Sequence, residues 1–332
     1  MSHVLIIGGG FSGCTVAYEL AVVSGMKVTI VEKSAGIGGK VRYYGCKATD
    51  KCNNCGVCLA AGLWEKVEKD RNVCILNNSK LVDVTGKAGD FSAIVKTQDG
   101  KKYINGISSI VVATGFEESP VCGHLQLEGK QGIIRGLELE KICKDRSGKA
   151  LFEKAPDSIA FVQCVGSRDK KEDSTYCSRV CCSYSTRAAK VIRQTYPECR
   201  IAFFYMEMQA VSGGDYFLEM KEKYDVEFIK CRPLRIKGGE PALIEYEDPE
   251  SGKLEQRAFE IICLSDGIHP PRDVDITAEL CGLSQDKYGF LKDGNDGIYV
   301  AGCAKKPAKI EETWSDSAAV SEQVRREVWR QV

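Results

Sequence analysis

The chemistry of this 332-residue chain starts with its cysteines: there are 17, against only 3 histidines. Cys164, Cys177, Cys181 and Cys182 form the pattern C-x12-C-x3-C-C. Four thiolates are the usual complement of a 4Fe–4S cluster. Adjacent ligands are geometrically unusual, which leaves one of Cys181 and Cys182 open to being spare. A structural zinc and plain buried thiols are the competing readings. A second group, Cys46-x5-Cys52-x2-Cys55-x2-Cys58, repeats like the first three ligands of a bacterial ferredoxin. The fourth cysteine before a proline is missing, and Cys46 is the nearest substitute. This group reads as a second 4Fe–4S site, with a redox-active dithiol, zinc or inert thiols as alternatives. His3, His124 and His269 lie outside both groups and read as structural or surface residues. Cys14, Cys74, Cys122, Cys143, Cys199, Cys231, Cys263 and Cys281 are scattered singly and carry no assigned role.

The first four cysteines must be positioned by an α/β element. Ser158–Val162 reads as a strand, and Cys164 follows at its C-terminal end, where open α/β sheets bind ligands. Residues 179–196 read as a helix stopped by Pro197, with Val180, Tyr184, Ala188, Val191 and Ile192 on one broad face. Cys181 and Cys182 then fall in its first turn. The positive end of the helix is expected to lower their thiol pKa and to favour an anionic cluster.

A second constellation opens the chain. Val4–Ile7 is a short apolar strand, followed by Gly8-Gly9-Gly10-Phe11-Ser12-Gly13, which fits G-x-G-x-x-G. A helix then runs to Val23, with Val16, Leu20 and Val23 at helical spacing and Gly25 placed to end it. Lys27–Val31 is the next strand, closing on Glu32-Lys33. The glycines permit a tight turn and close approach of a pyrophosphate to the helix N-terminus, and Glu32 stands where an acid can hold a ribose hydroxyl. Later, Ile110–Val112 runs into Ala113-Thr114-Gly115. Gly297–Gly302 and Cys303 then precede a long helix from Ile310 to about Arg330.

Composition narrows the class. Lys plus Arg equals Asp plus Glu at 46 each, which argues against a nucleic-acid partner. No apolar run approaches the ~18 residues a spanning helix needs. The start of the chain lacks the basic stretch and cleavage site of an export signal. Abundant cysteine without such a signal points to thiols kept reduced and to a cytoplasmic setting.

The three glycine-containing segments resemble the two-dinucleotide-domain flavoproteins of the thioredoxin-reductase type. That resemblance implies an α/β chain of two Rossmann-like domains, the second inserted in the first. Residues 1–118 and 266–332 would bind FAD, and 119–265 would form the insert, with Pro120, Pro270 and Pro271 flanking the crossovers. Gly8–Gly13 would hold the pyrophosphate, Gly38-Gly39-Lys40 would pass near the FAD, Val82 would sit at the adenine, and Gly302 with the Ile310 helix would face the flavin. The acid usual after the last glycine is Cys303 here. The insert lacks the second glycine fingerprint, so a nicotinamide has no evident cradle.

The stretches Phe161–Asp169 and Tyr176–Cys182 are similar to the A subunit of heterodisulfide reductase and its relatives, as are Phe204–Met206, Gly132–Glu140 and Val300–Ala304. The resemblance implies that Cys164, Cys177, Cys181 and Cys182 bind a 4Fe–4S cluster beside the FAD. It also implies B- and C-like iron–sulfur partner subunits, and a homodimer fits the same picture. The expected function is electron transfer between flavin and clusters, with bifurcation open, in sulfur and thiol–disulfide metabolism; no catalytic triad or general-base pair is evident. Two other readings stand beside it. One is an NAD(P)H-dependent disulfide reductase using Cys52, Cys55 and Cys58; the other is a scaffold in which FAD is only structural.

Overall fold

The computed structural model describes residues 2–119, 126–144, 151–171, 173–209, 216–294 and 297–330. Pro120, Cys122, His124 and Glu172 lie outside the described residues. The chain divides into two compact units: Met1–Arg42, Gly56–Glu117 and His269–Val332 in the first, Tyr43–Cys55 and Glu118–Ile268 in the second.

The first unit is built on a parallel sheet. Its spatial order is Ile298–Val300, Ser109–Val112, His3–Ile7, Lys27–Val31, Val73–Leu76. Period-two alternation sends Val4 and Ile6 to one face and Leu5 and Ile7 to the other, and all four are buried. The first face packs against Phe11, Cys14 and Leu20 of the opening helix and Val320, Val324 and Val328 of the helix Ile310–Arg330. The second face packs against Phe91, Val95 and Ile104 of an antiparallel three-stranded sheet covering Lys80–Lys87, Asp90–Thr97 and Gly100–Ile107.

The opening helix starts at Phe11 and keeps α pitch to Ala17; Tyr18–Val23 widens to π pitch. Val16 and Leu20 are buried as their spacing predicts, but Val23 is 58% exposed. The wider turn is the reason: it carries the side chain around past the apolar face. Gly25 ends the element in the left-handed conformation, φ +70°, with its N–H on Ala21 O.

The second unit repeats the plan. Its parallel sheet runs Ile133–Arg135, Ile261–Asp266, Ser158–Val165, Arg200–Phe204, Val226–Ile229. In the first sheet the strand order reverses beside His3–Ile7, and in the second beside Ser158–Val165. That leaves a crevice at the carboxyl ends of Ser158–Val165 and Ile261–Asp266, the place where such sheets take ligands. The helix Cys181–Thr195 packs on one face with Ile159, Phe161, Ile201 and Phe203. A four-stranded sheet, Leu254–Phe259, Ala242–Glu247, Arg235–Lys237 and Gln126–Glu128, covers the other.

The expected division at 1–118, 119–265 and 266–332 differs from these units at Glu118, at residues 266–268 and in one longer segment. Tyr43–Cys55 joins the second unit. Buried Lys47 donates to Glu140 at 2.6 Å, and the Arg187 guanidinium donates to Asn53 O at 2.8 Å and Asn54 O at 2.7 Å. Lys223 reaches Asp50 and Lys51 reaches Glu219. These anchors are far apart in sequence, so local pattern could not reveal them.

Candidate metal centre and dinucleotide cradle

The strand Ser158–Val165 loses register with its neighbour between Val162 and Val165. Cys164 sits in that bulge with φ +61°, a left-handed conformation costly for a residue with a Cβ. Such strain persists where the surroundings over-determine it, and bulges re-aim side chains. Gln163 Nε2 bonds Ser265 Oγ at 3.0 Å, and Ser167 N–H returns to Cys164 O at 3.2 Å. The chain then folds back through reciprocal 2.9 Å bonds between Asp169 and Ser174, and Arg168 N–H meets Tyr176 O at 2.9 Å. Tyr176 Oη donates to Ile268 O, and Ser178 Oγ accepts from Ile268 N–H. This return brings Cys177 back to the strand end. Arg179, at φ +63°, then turns the chain into the helix that begins at Cys181.

All four cysteines line one open cleft, together with Ser167, Arg168, Arg179, Glu207 and Gln209. Cys164, Cys181 and Cys182 are buried and Cys177 is half-buried; all four are free thiols. Arg179 N–H donates to Cys177 Sγ at 3.3 Å, and Cys181 Sγ donates to Asp266 O at 3.5 Å. Val180 supplies no side-chain cap, so first-turn N–H groups stay available. Among the described residues no three His, Cys, Asp or Glu side chains converge closely enough for a single metal ion. A 4Fe–4S cube is wider than an ion and asks for four thiolates around one space; these four cysteines share one cleft. The guanidinium adds a second sign of fit: Arg168 Nη1 is buried and has no hydrogen-bond partner.

The expected lowering of the thiol pKa by the helix end does not survive the packing. Burial, reinforced by the neighbouring Cys182 and Cys177, pushes the Cys164 thiol up to about 11. Burial also raises Cys182, and raises Cys181 well above the ordinary range, with the other cysteines adding to it. Desolvation outweighs the dipole. Burial thus favours the protonated form of Cys164, Cys181 and Cys182, and a bound cluster would have to displace those protons.

The helix Cys181–Thr195 is also more deeply buried than one apolar face implies. Arg187 and Lys190 are 7% and 1% exposed, held by the Asn53 and Asn54 carbonyls and by Glu219. Cys46, Cys52 and Cys58 are exposed and Cys55 is half-buried. Cys46, Cys52 and Cys55 stand on the segment fixed by Arg187, whereas Cys58 belongs to the first unit, in the 3-10 turn Val57–Ala60.

The glycine turn has a different geometry. A Cβ on Gly13 would lie 1.9 Å from Gly8 O, and one on Gly8 would lie 2.4 Å from Ala113 O. A Cβ on Gly10 would meet nothing within 4 Å. Two glycines thus hold the helix against the sheet, and the third leaves open space in front of the helix end. Glu32 is buried and spans the turn, Oε2 accepting from Gly9 N–H and Oε1 from Ser34 N–H, each at 2.7 Å. Gly38 N–H reaches Gly9 O at 2.6 Å, and a Cβ on Gly39 would press on Gly10 Cα at 3.0 Å. Lys40 donates to Phe116 O at 2.9 Å. Lys33 is half-exposed, between Glu117 and Asp273. Phe11 packs on Trp314, and Ser12 Oγ pairs with Ser317 Oγ. Thr114 Oγ1 is buried without a partner, an orphan suited to a bound ligand. Val82 lies at a bulge of the strand Lys80–Lys87 and is exposed.

Asp316, on the helix that starts at Ile310, accepts Gly302 N–H at 2.7 Å and pairs with Lys305. The Cys303 thiol is buried and points to Ala308 O. An acid one helical turn or more beyond the glycine carries no local signal, so sequence reading misses it. Arg168 lies inside the cysteine motif, yet its type and position alone give it no role.

The fold is that of the thioredoxin-reductase type, with two Rossmann-like α/β units. The chain superposes on thioredoxin reductase of Lactococcus lactis with a TM-score of 0.67 at 18% identity, covering 99% of this chain and all of the other. The T. acidophilum enzyme gives 0.66 at 15% identity, covering 99% of each chain. A profile for NAD(P)-binding Rossmann-like domains matches residues 6–72. In sequence the chain is similar to an iron-sulfur A subunit of the CoB–CoM heterodisulfide reductase of Methanopyrus kandleri, 25% identical over 96% of this chain and 63% of that protein. It is similar to the same extent, 25%, to the A subunit of the H(2):CoB-CoM heterodisulfide,ferredoxin reductase of Methanothermobacter marburgensis, over 92% of this chain and 61% of the other. The resemblance to heterodisulfide reductase A subunits thus extends over nearly the whole chain, which spans about three fifths of their length. Among the described residues no helix is long and apolar enough to cross a membrane.

Proposed function

We propose that this chain is a flavin- and iron–sulfur-dependent electron-transfer oxidoreductase, acting as the A-like component of a heterodisulfide-reductase-like complex. FAD would occupy the cradle of Gly8–Gly13, with Glu32 bracing the turn, Thr114 offering its unpaired hydroxyl and Asp316 fixing Gly302. Cys164, Cys177, Cys181 and Cys182 would hold a 4Fe–4S cluster. When bound, FAD supplies a couple of one or two electrons and the cluster a one-electron couple, which together allow an electron pair to be divided.

The carrying observation is the shared cleft of four cysteines at the crevice where a dinucleotide fold takes its ligand, lined by a buried, unpartnered guanidinium nitrogen. The chain's own residues keep water from three of the four sulfurs and supply first-turn and loop N–H donors toward them. The Arg168 side chain adds positive charge where an anionic cluster would lie, partly offset by Glu207. B- and C-like iron–sulfur proteins would carry the substrate chemistry, in sulfur and thiol–disulfide metabolism in the cytoplasm, and a homodimer of the chain is part of this reading. Metal and acid-labile sulfide analysis of anaerobically purified protein, with EPR after dithionite, tests it. About one FAD per chain with at least four irons is expected. A protein with flavin, no iron, and rapid bleaching by NADPH would replace it with the disulfide-reductase reading.

A further inference from the structure

The geometry points to Arg168 as the residue that sets the affinity of the four-cysteine site for its electron, by donating from Nη1 to a sulfur of the bound cluster. This inference rests on the iron–sulfur reading above. Arg168 is placed with care: its backbone is left-handed at φ +56°, and its N–H is tied to Tyr176 O at 2.9 Å. An arginine has no intrinsic reason to adopt that conformation, so the surrounding loop imposes it. Arg168 lines the same cleft as Cys164, Cys177, Cys181 and Cys182, and its charge acts on the Cys164 and Cys182 thiols. Nη2 donates to Glu207 Oε2 at 3.0 Å, which fixes the plane of the group. Nη1 is buried with no partner among the described residues.

A buried cationic donor without an acceptor is costly, and native structures rarely keep one without a role. The other lining groups with known contacts are already engaged: Arg179 N–H is on Cys177 Sγ, and Ser167 N–H is on Cys164 O. A sulfide or thiolate sulfur of an anionic cluster would be the missing acceptor. One electron enters such a site with no bond made or broken, and the added negative charge falls next to the guanidinium. The arginine therefore favours the reduced state, and its loss lowers the reduction potential.

The test uses anaerobically purified full chain, wild type, Arg168→Gln and Arg168→Lys. Iron and acid-labile sulfide are measured first, and the midpoint potential is then read by EPR-monitored titration with dithionite and mediators. Arg168→Gln should keep its iron and take up the electron about tenfold less favourably, which is about 59 mV for a one-electron couple. Arg168→Lys should fall between the two, since it keeps a charge but loses the planar fork. Iron-replete Arg168→Gln with a wild-type midpoint overturns the inference. If Arg168→Gln does not load iron, Arg168→Lys decides: a lowered midpoint supports the role and an unchanged one overturns it. If neither variant loads, Arg168 serves assembly and the electronic role is overturned. Wild type without iron is a separate outcome, because it refutes the iron–sulfur reading itself.

Discussion

Adding one methyl group at Gly10 should separate binding from folding. Gly10 has φ −72° and ψ −171°, a conformation open to alanine, and a Cβ there meets no atom within 4 Å. Alanine stiffens the unfolded chain, which stabilises by about 0.4–1 kcal/mol at a compatible site. Gly10 is also the helix N-cap, where alanine is worse than glycine by roughly 0.5–1 kcal/mol. The two effects offset, so Gly10→Ala apoprotein should unfold within about 0.5 kcal/mol of wild type. The methyl group, however, fills the space in front of the helix N-terminus that a pyrophosphate needs. Wild type at a ligand concentration of 100 Kd should gain about 2.7 kcal/mol from FAD, and the variant close to none. For a unit of this size that is a difference of roughly 5–10 °C in FAD-dependent Tm. Flavin-fluorescence titration and thermal unfolding with and without FAD read both quantities. Gly13→Ala is the control, because its Cβ would sit 1.9 Å from Gly8 O and the helix would have to leave the sheet. Gly10→Ala that holds FAD within threefold of wild type would refute the reasoning, as would an apoprotein destabilised by more than about 1.5 kcal/mol.

Other perturbations probe other parts. Cys177→Ala or Cys181→Ala should lose most of the iron at the first site and keep the flavin, visible as iron per FAD; equal loss of both would show that the two sites do not bind independently. Lys47→Met leaves the nearly buried Glu140 without its 2.6 Å partner and should cost about 3–5 kcal/mol in urea unfolding, most of it recovered in Lys47→Met/Glu140→Leu. Burial, and secondarily the charge of Lys27, hold the His3 imidazole below its ordinary 6.5, and its ring nitrogen pairs with Thr29 Oγ1 at 2.9 Å. The unfolded chain then binds the extra proton, so stability is full above pH 6.5 and falls as pH drops through the folded-state value; His3→Gln should flatten that slope in thermal melts between pH 5 and 7.

Several features resisted sequence reading for one common reason. Asp316 meets Gly302 N–H because a helix brings it back there, a contact between separate elements. Arg187 and Lys190 read as the polar side of a helix, yet both are buried by partners distant in the chain. Tyr43–Cys55 reads as part of the first dinucleotide unit, yet ion pairs with Glu140, Glu219 and Lys223 place it in the second. Burial reverses the direction in which the helix end alone would move the Cys181 and Cys182 thiols.

Local, periodic information was written in the residues themselves. The strand, the glycine turn and the helix of residues 3–23 follow from apolar alternation and from Gly8, Gly10 and Gly13, because tight turns and close packing constrain the chain over a few neighbours. The pattern Cys164, Cys177, Cys181, Cys182 likewise announces its chemistry by type and spacing. Only the folded chain decided how those thiols meet. A strand bulge turns Cys164 and a returning loop carries Cys177 back, while the sheet buries the helix end and leaves one guanidinium nitrogen facing the cleft. Those outcomes depend on long-range contacts and desolvation, quantities that do not exist until distant segments pack.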